Sequence, residues 1–196
     1  MLLLLLLLLL ALPLLLEGRP ERDALARADA LLEQVEAKQA LQQLNARFSR
    51  AMDRMDRCLM VSLWTDDGEI DWGAHQGSVK PFVIAATSPD DSLERSFHSV
   101  SNEYFEVDGH SAIGEVSVII VSTVVEEGAK VDRLIGGRYL DRYRQENGQW
   151  KIARRTFVHD WNMSLPSSAN YEEGMFALFL KGKRDKSDPS YQLFGE

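Results

Sequence analysis

The chain has one cysteine, Cys58, in 196 residues. An intrachain disulfide is therefore excluded, and so is a cysteine-built zinc site. Histidine is almost as scarce: His75, His98, His110 and His159 lie in four separate segments, without a metal-type spacing. No metal is expected. G-x-S-x-G, a P-loop, H-E-x-x-H and a usable Cys/His nucleophile pair are all missing, which removes the main supports for a hydrolase or nucleotide-transferase. Gly136-Gly137 is no phosphate loop, because it lacks the G-x-G-x-x-G spacing; it reads as a bulge at the entry to a strand. Positive charge is in deficit too, with 22 Lys+Arg against 30 Asp+Glu for a net charge of −8, and the longest basic stripe is Lys181-Gly182-Lys183-Arg184. That balance argues against a nucleic-acid partner.

What is there begins with leucine. Residues 2–16 are a nearly pure leucine run, too short for the ~20 residues of a spanning helix but long enough for the apolar part of a secretory signal. Nothing basic precedes the run, and Glu17-Gly18-Arg19-Pro20 follows where a signal would place small residues. Residues 1–22 are accordingly set apart as a leucine-rich leader or artefact, expected to be dispensable. No stable membrane insertion is expected, and the location expected is cytoplasmic, with export the alternative if the run is a true signal.

Residues 23–163 read as one domain and 164–196 as a surface extension. From Asp23 to about Met55 there is no Pro or Gly, and Leu31, Val35, Leu41, Leu44 and Phe48 recur at near-helical spacing. A further helical stretch, Asp56 to Leu63, runs into the turn cluster Thr65-Asp66-Asp67-Gly68. Glu69 to Trp72 suggests a short strand, and Ser78 to Ala86 a short helix capped by Ser78 with Pro81 in its first turn. Beyond Ser88 the chain turns strand-like in Phe97–Val107, Ala112–Val125, Gly137–Arg144 and Trp150–Trp161, separated by turns such as Asp108-Gly109 and Asn147-Gly148. Helices followed by a meander imply an α+β domain, in which N-terminal helices cover a curved, mostly antiparallel sheet and the resulting cone encloses a pocket.

Strand alternation places His98 on one face with Val100, Asn102 and Tyr104. A neutral imidazole there can take a proton from carbon or oxygen if a carboxylate fixes its tautomer, and Asp53, near the apolar face of the long helix, is the candidate. On the last strand the same alternation groups Lys151, Ala153, Arg155, Phe157, His159 and Trp161. Arg155 or His159 could there receive a departing anion.

These residues resemble the SnoaL-like branch of the nuclear transport factor 2-like superfamily, the cone-shaped α+β fold of scytalone dehydratase, ketosteroid isomerase and polyketide cyclases. The resemblance spans roughly Gln39 to Trp161. It is carried by Ala51-Met52-Asp53-Arg54-Met55-Asp56, Ser62-Leu63-Trp64-Thr65-Asp66-Asp67, Phe97-His98, Leu134-Ile135-Gly136-Gly137-Arg138-Tyr139 and Asn147-Gly148-Gln149-Trp150-Lys151-Ile152. Within the branch the chain looks most like hexachlorocyclohexane dehydrochlorinase and bile-acid dehydratase, which implies a His/Asp dyad on His98 and Asp53, an anion-stabilising Arg155 and no cofactor. The dehydratase pattern is incomplete: its tyrosine falls on Phe48, its second acid on Val121 and its arginine on His159.

The expected function is a cofactor-independent lyase that abstracts a proton and eliminates water, halide or an aldehyde from a hydrophobic or aromatic small molecule. An isomerase with the same dyad and a non-catalytic binding module are the alternatives. Candidate pocket walls are Phe48, Trp72, Tyr104, Phe157 and Trp161, with Asn102, Ile119, Val121, Ile135 and His159 completing the lining. The resemblance also implies a homo-oligomer, trimer or dimer, for which Val116, Val118, Ile120, Val124 and Trp150 are the expected outward apolar residues.

Overall fold

The structure, a computed structural model, describes residues 20–195. Helix α1 is assigned to Leu2–Asp53. The leucine run, and with it the expectation of a leader, lies outside the described residues. The helix is continuous through residues 20–53. Residues 1–39 form one compact unit and residues 40–196 a second. In the first, Leu31 and Val35 are exposed, so the expected apolar stripe does not extend back to them.

In the second unit α1 is followed by α2 (Arg57–Ser62), β1 (Trp64–Trp72), β2 (His75–Ser78), α3 (Val79–Ala86), β3 (Leu93–Asp108), β4 (Ser111–Glu126), β5 (Ala129–Glu146) and β6 (Gln149–Pro166). Local chemistry explains the boundaries. The helix α1 ends at Asp53, the chain turns at Met55, a non-glycine residue with φ +48°, and Asp56 caps α2 by accepting the Leu59 N–H at 3.1 Å. Ser78 caps α3 as expected. Glu127-Gly128 and Asn147-Gly148 both take positive φ at their two central positions, the geometry of tight hairpin turns. The cluster Thr65–Gly68 is not a turn: it lies inside β1, because Trp64 and Ile70 are buried and draw this stretch into the sheet.

The six strands form one mixed sheet in the order β2-β1-β6-β5-β4-β3, with β2 and β3 at the edges. Only β1–β6 is parallel; the other neighbours are antiparallel. The fold is α+β, as expected. Leu41, Leu44, Phe48 and Ala51 of α1, at spacings of three and four, pack on Val116, Val118, Tyr139, Tyr143 and Ile152 of the sheet. Each large apolar side chain buried there contributes about 1.5–3 kcal/mol.

This inner face corrects the alternation argument for self-association. Val116, Val118, Ile120 and Val124 are buried and Trp150 packs against the core, so none is an outward apolar residue. The outer face instead exposes Tyr104, Ile113, Ile119 and Leu140.

The segment after β6 folds back. Residues Gly174–Leu178 make a 3-10 turn and Pro189–Phe194 a short helix, α4. Tyr191 is buried and donates to Asp56 Oδ2 at 2.8 Å, beside Lys186 at 2.6 Å. Asp188 pairs with Arg54 at 3.3 Å and accepts the Lys183 N–H at 2.8 Å. Arg184 donates to the Leu93 carbonyl of β3 at 2.6 Å. Burial pushes the Asp56 carboxyl upward, but hydrogen bonds from Lys186, the Leu59 N–H and Tyr191 outweigh it and hold the group below the usual carboxylate range. For Asp188, burial is outweighed in the same way by Ser190 and the Lys183 N–H.

Candidate active site

Asp53 is the last residue of α1 and is buried, as is His98 on the inner face of β3. Their meeting depends on a helix end placed against an edge strand. Asp53 Oδ1 lies 2.7 Å from His98 Nδ1, and Oδ2 accepts the His98 backbone N–H at 3.0 Å. The Ser96 hydroxyl donates to Oδ1 at 3.1 Å. An ionised carboxylate can only accept, so the ring proton sits on Nδ1 and the lone pair of Nε2 is left facing away from Asp53. No hydrogen bond reaches Nε2 from the described residues.

Arg155 is fully buried. Its Nε and Nη2 hold both oxygens of Asp141, at 2.9 and 2.6 Å, and Nη2 also reaches Asn45 Oδ1 at 2.5 Å. Asn45 donates in turn to the Tyr143 hydroxyl at 3.0 Å, and that hydroxyl donates to Asp141 at 2.5 Å. The guanidinium is stacked between Phe48 and Tyr139, 4.2 and 4.0 Å from their ring centres. Burial works against its charge, and the adjacent Asp141 overcomes that, so the arginine stays protonated. Most of this group is thus committed to tying α1 to β5 and β6. Its Nη1 and the Tyr139 hydroxyl are buried without a hydrogen-bond partner among the described residues. Burial holds the Tyr139 phenol well above its ordinary pKa, so it remains a neutral donor.

Phe48, Trp72 and Phe157 come together in one ring cluster, joined by Tyr139 and Phe82. Trp72 stacks on Phe157 at 4.7 Å and 11°, on Phe82 at 5.4 Å, and lies 5.5 Å from Tyr139. Ile135 packs against the same core, and the pairing of His98 with Ile120 and of Ile120 with Ile135 places it on the face of His98. His159, paired with Gly137, shares that face and is exposed.

Five expected lining residues, Asn102, Tyr104, Ile119, Val121 and Trp161, do not, and bulges explain three of them. Between Ser101 and Tyr104 the β3–β4 register shifts, with Asn102 at φ +48°. That extra residue reverses the alternation, so Phe105 turns inward and Tyr104 outward, 63 % exposed. Asn102 itself is exposed at the bulge. Ile119 and Val121 flank the inward Ile120 and point to the outer face.

On β6 the register shifts twice, opposite Arg142/Tyr143 and opposite Gly136/Gly137. Arg155, Phe157 and His159 stay in phase between the shifts, whereas Trp161 lies over Gly136, where an added Cβ would fall 2.1 Å from its ring. The expected bulge at Gly136-Gly137 is not there: both glycines pair in regular register with Ile119 and Val118 in the middle of β5, and the extra residue is Asp160 of β6, which lies opposite them.

Ser96, Asn45, Tyr139 and Asp141 escaped the sequence reading because each looks like ordinary helix or strand polarity. Arg184 escaped it because it lies in the tail: burial depresses its pKa, while Asp53 and Asp90 pull it the other way, which marks it as a neighbour of the pair. The clefts of 560 and 540 Å³ lie away from His98 and share Glu106, Ile113 and Arg142. Among the described residues there is no group of three or more His, Cys, Asp or Glu able to hold a metal. No helix among them is long and apolar enough to cross a membrane.

Comparison with known proteins gives a consistent picture. Residues 33–156 match the SnoaL-like domain family. By sequence the chain matches no curated protein. Among solved structures it is similar to a hexachlorocyclohexane dehydrochlorinase, type 3, from Novosphingobium barchaimii LL02, at 20 % identity over 68 % of this chain and 93 % of that one, with a TM-score of 0.59. It is similar also to a provisionally named scytalone dehydratase from Novosphingobium aromaticivorans DSM 12444, at 20 % identity, 70 % and 92 % coverage and a TM-score of 0.58. A Nostoc punctiforme protein with a cystatin-like fold matches at 20 % identity, 63 % and 90 % coverage and a TM-score of 0.50. At these identities the likeness concerns the fold.

Proposed function

Because the chain belongs to the SnoaL-like domain family, we propose that it is a cofactor-independent lyase in which the His98–Asp53 pair removes a proton from a hydrophobic or aromatic small molecule. One observation carries this reading: Asp53 Oδ1 lies 2.7 Å from Nδ1 of a buried histidine, which supports Nε2 as the base. Asp53 steadies the imidazolium formed when Nε2 takes the proton, and Ser96 and the His98 N–H keep the carboxylate in place. The electron pair released from carbon expels a leaving group from the neighbouring atom. A departing anion would be received by Arg155 Nη1, the one donor of that guanidinium without a partner, or by His159 at the open end of the same face. The aromatic group of Phe48, Trp72, Tyr139 and Phe157 favours an apolar substrate body. The two similar structures named for dehydrochlorination and dehydration fit an elimination and leave the bond broken open; an isomerase would move the same proton without losing a group.

The test is His98→Gln, which keeps size and hydrogen bonding but removes the base. Halide and water release are assayed on compounds with an acidic C–H beside a leaving group, starting with hexachlorocyclohexane. The variant should fold, bind and turn over at least ~10²-fold more slowly. Wild-type turnover by the variant overturns the proposal, and a ligand bound but never converted replaces it with a binding module.

A further inference from the structure

Around the β3 edge the tail and the sheet enclose a cleft of 500 Å³ whose walls include Arg54, Arg95, Lys181, Lys183 and Arg184. Five cations on one cleft stand out in a chain of net charge −8. Two acids share the walls, Glu94 and Glu172, and Glu94 is already committed to Lys130 at 2.8 Å and Arg95 at 2.9 Å. The arginines are held in place rather than waving in solvent: the Arg95 guanidinium lies 3.0 Å over the Tyr171 ring and Arg184 is anchored to the Leu93 carbonyl. Yet the Nε atoms of Arg95 and Arg184 are buried and have no acceptor among the described residues, and that of Arg54 lies 3.3 Å from Asp188 without the alignment of a hydrogen bond. Buried donors without acceptors are costly and rare. Preset guanidinium forks with spare donors suit the oxygens of a carboxylate or phosphate.

We propose that this cleft is an anion site, built to receive the carboxylate or phosphate group of a small organic molecule. Its inner wall includes Ser96, whose hydroxyl also bonds Asp53, so a molecule held there by its charged end is one side chain from the histidine pair. The site stands on its own cations and does not depend on the pair being catalytic.

The full-length protein is titrated with inorganic phosphate and, separately, with benzoate, at ionic strength fixed with chloride, while the backbone amide resonances are followed. Saturable shifts are expected at Ser96, Lys183 and Arg184, and they should weaken as salt is raised. Arg184→Gln and Lys183→Gln should each raise the dissociation constant about fivefold or more, the loss expected for one charge-assisted contact. Lys183 is exposed and bonds Asp188 through its backbone N–H rather than its side chain, so its variant keeps the test valid if loss of the Arg184–Leu93 bond unseats the tail. Arg144→Gln, distant and paired with Asp67, should change nothing. Binding of phosphate alone or benzoate alone identifies the anion class. Absence of saturable shifts with both probes, or equal affinity in the Lys183 variant and wild type, overturns the proposal.

Discussion

Asp53→Asn changes one atom of the site and removes its base by a route that can be traced donor by donor. The carboxylate accepts from His98 Nδ1 and Ser96 through Oδ1 and from the His98 backbone N–H through Oδ2. An amide has one oxygen to offer in place of two. If that oxygen faces Nδ1, the amide NH2 meets the buried backbone N–H at 3.0 Å, donor against donor. If it faces the backbone N–H, the NH2 donates to Nδ1 and forces the ring proton onto Nε2, where no base remains. The first orientation costs about 1–3 kcal/mol for an unsatisfied buried donor, a fall of roughly 2–12 °C in melting temperature for a chain of this size. The second keeps stability but turns the histidine into the wrong tautomer, expected to slow proton abstraction by ~10²–10⁴-fold. Nitrogen chemical shifts of the His98 ring read the tautomer without any substrate, and calorimetry reads the stability. A variant that retains the Nδ1–H tautomer, wild-type melting and wild-type turnover would refute the reasoning.

Three further outcomes follow from the same geometry. Arg155→Met leaves Asp141 buried without its cation and should cost about 3–5 kcal/mol in urea unfolding, with part of the loss recovered in the Arg155→Met/Asp141→Asn double variant; an unchanged midpoint contradicts the network. Tail docking should weaken in acid: Asp56 and Asp188 have depressed folded-state pKa values, so their contribution is complete above the ordinary carboxylate value near 4 and is lost as pH falls below it. Hydrogen exchange at residues 183–194, corrected for intrinsic rates, should stay level from pH 6 to about 4 and rise below that, before it rises in β5. We expect self-association through the outer face bearing Ile113, Ile119 and Leu140, so light scattering should give more than 22.2 kDa and Ile119→Lys should lower it, whereas a wild-type monomer excludes it.

Much of this was legible in periodicity. Four strand patterns, the Ser78 cap and the helix face of Leu41, Leu44 and Phe48 could be read directly, since each depends on neighbours within a turn or a pleat. His98 facing the core near Asp53 was reachable because one lies inside an apolar strand and the other beside an apolar helix stripe. What escaped was phase and return. A residue such as Asn102 carries no composition signal for reversing alternation, and Tyr104 was therefore placed on the wrong side; the shift near Gly136 displaced Trp161 in the same manner. The tail's docking on Asp56 depends on long-range pairing that local patterns do not encode, which also hid Arg184. The commitment of Arg155 to Asp141 was equally invisible, because sequence assigns an arginine a face but not a partner.

The parallel joint between β1 and β6 has a consequence for the order in which the molecule assembles. Strands β3 to β6 meet through consecutive hairpins, whereas Trp64 must wait for Ile152 before it has a neighbour in the central sheet. Loop closure delays such distant pairing. During synthesis, therefore, β1 emerges early and stays without its central-sheet neighbour until nearly the whole chain has been made. Pulse-labelled exchange should find β4 and β5 amides protected ahead of those of β1. A chain cut before β6 should hold its first strand exposed, a natural target for chaperones or for aggregation.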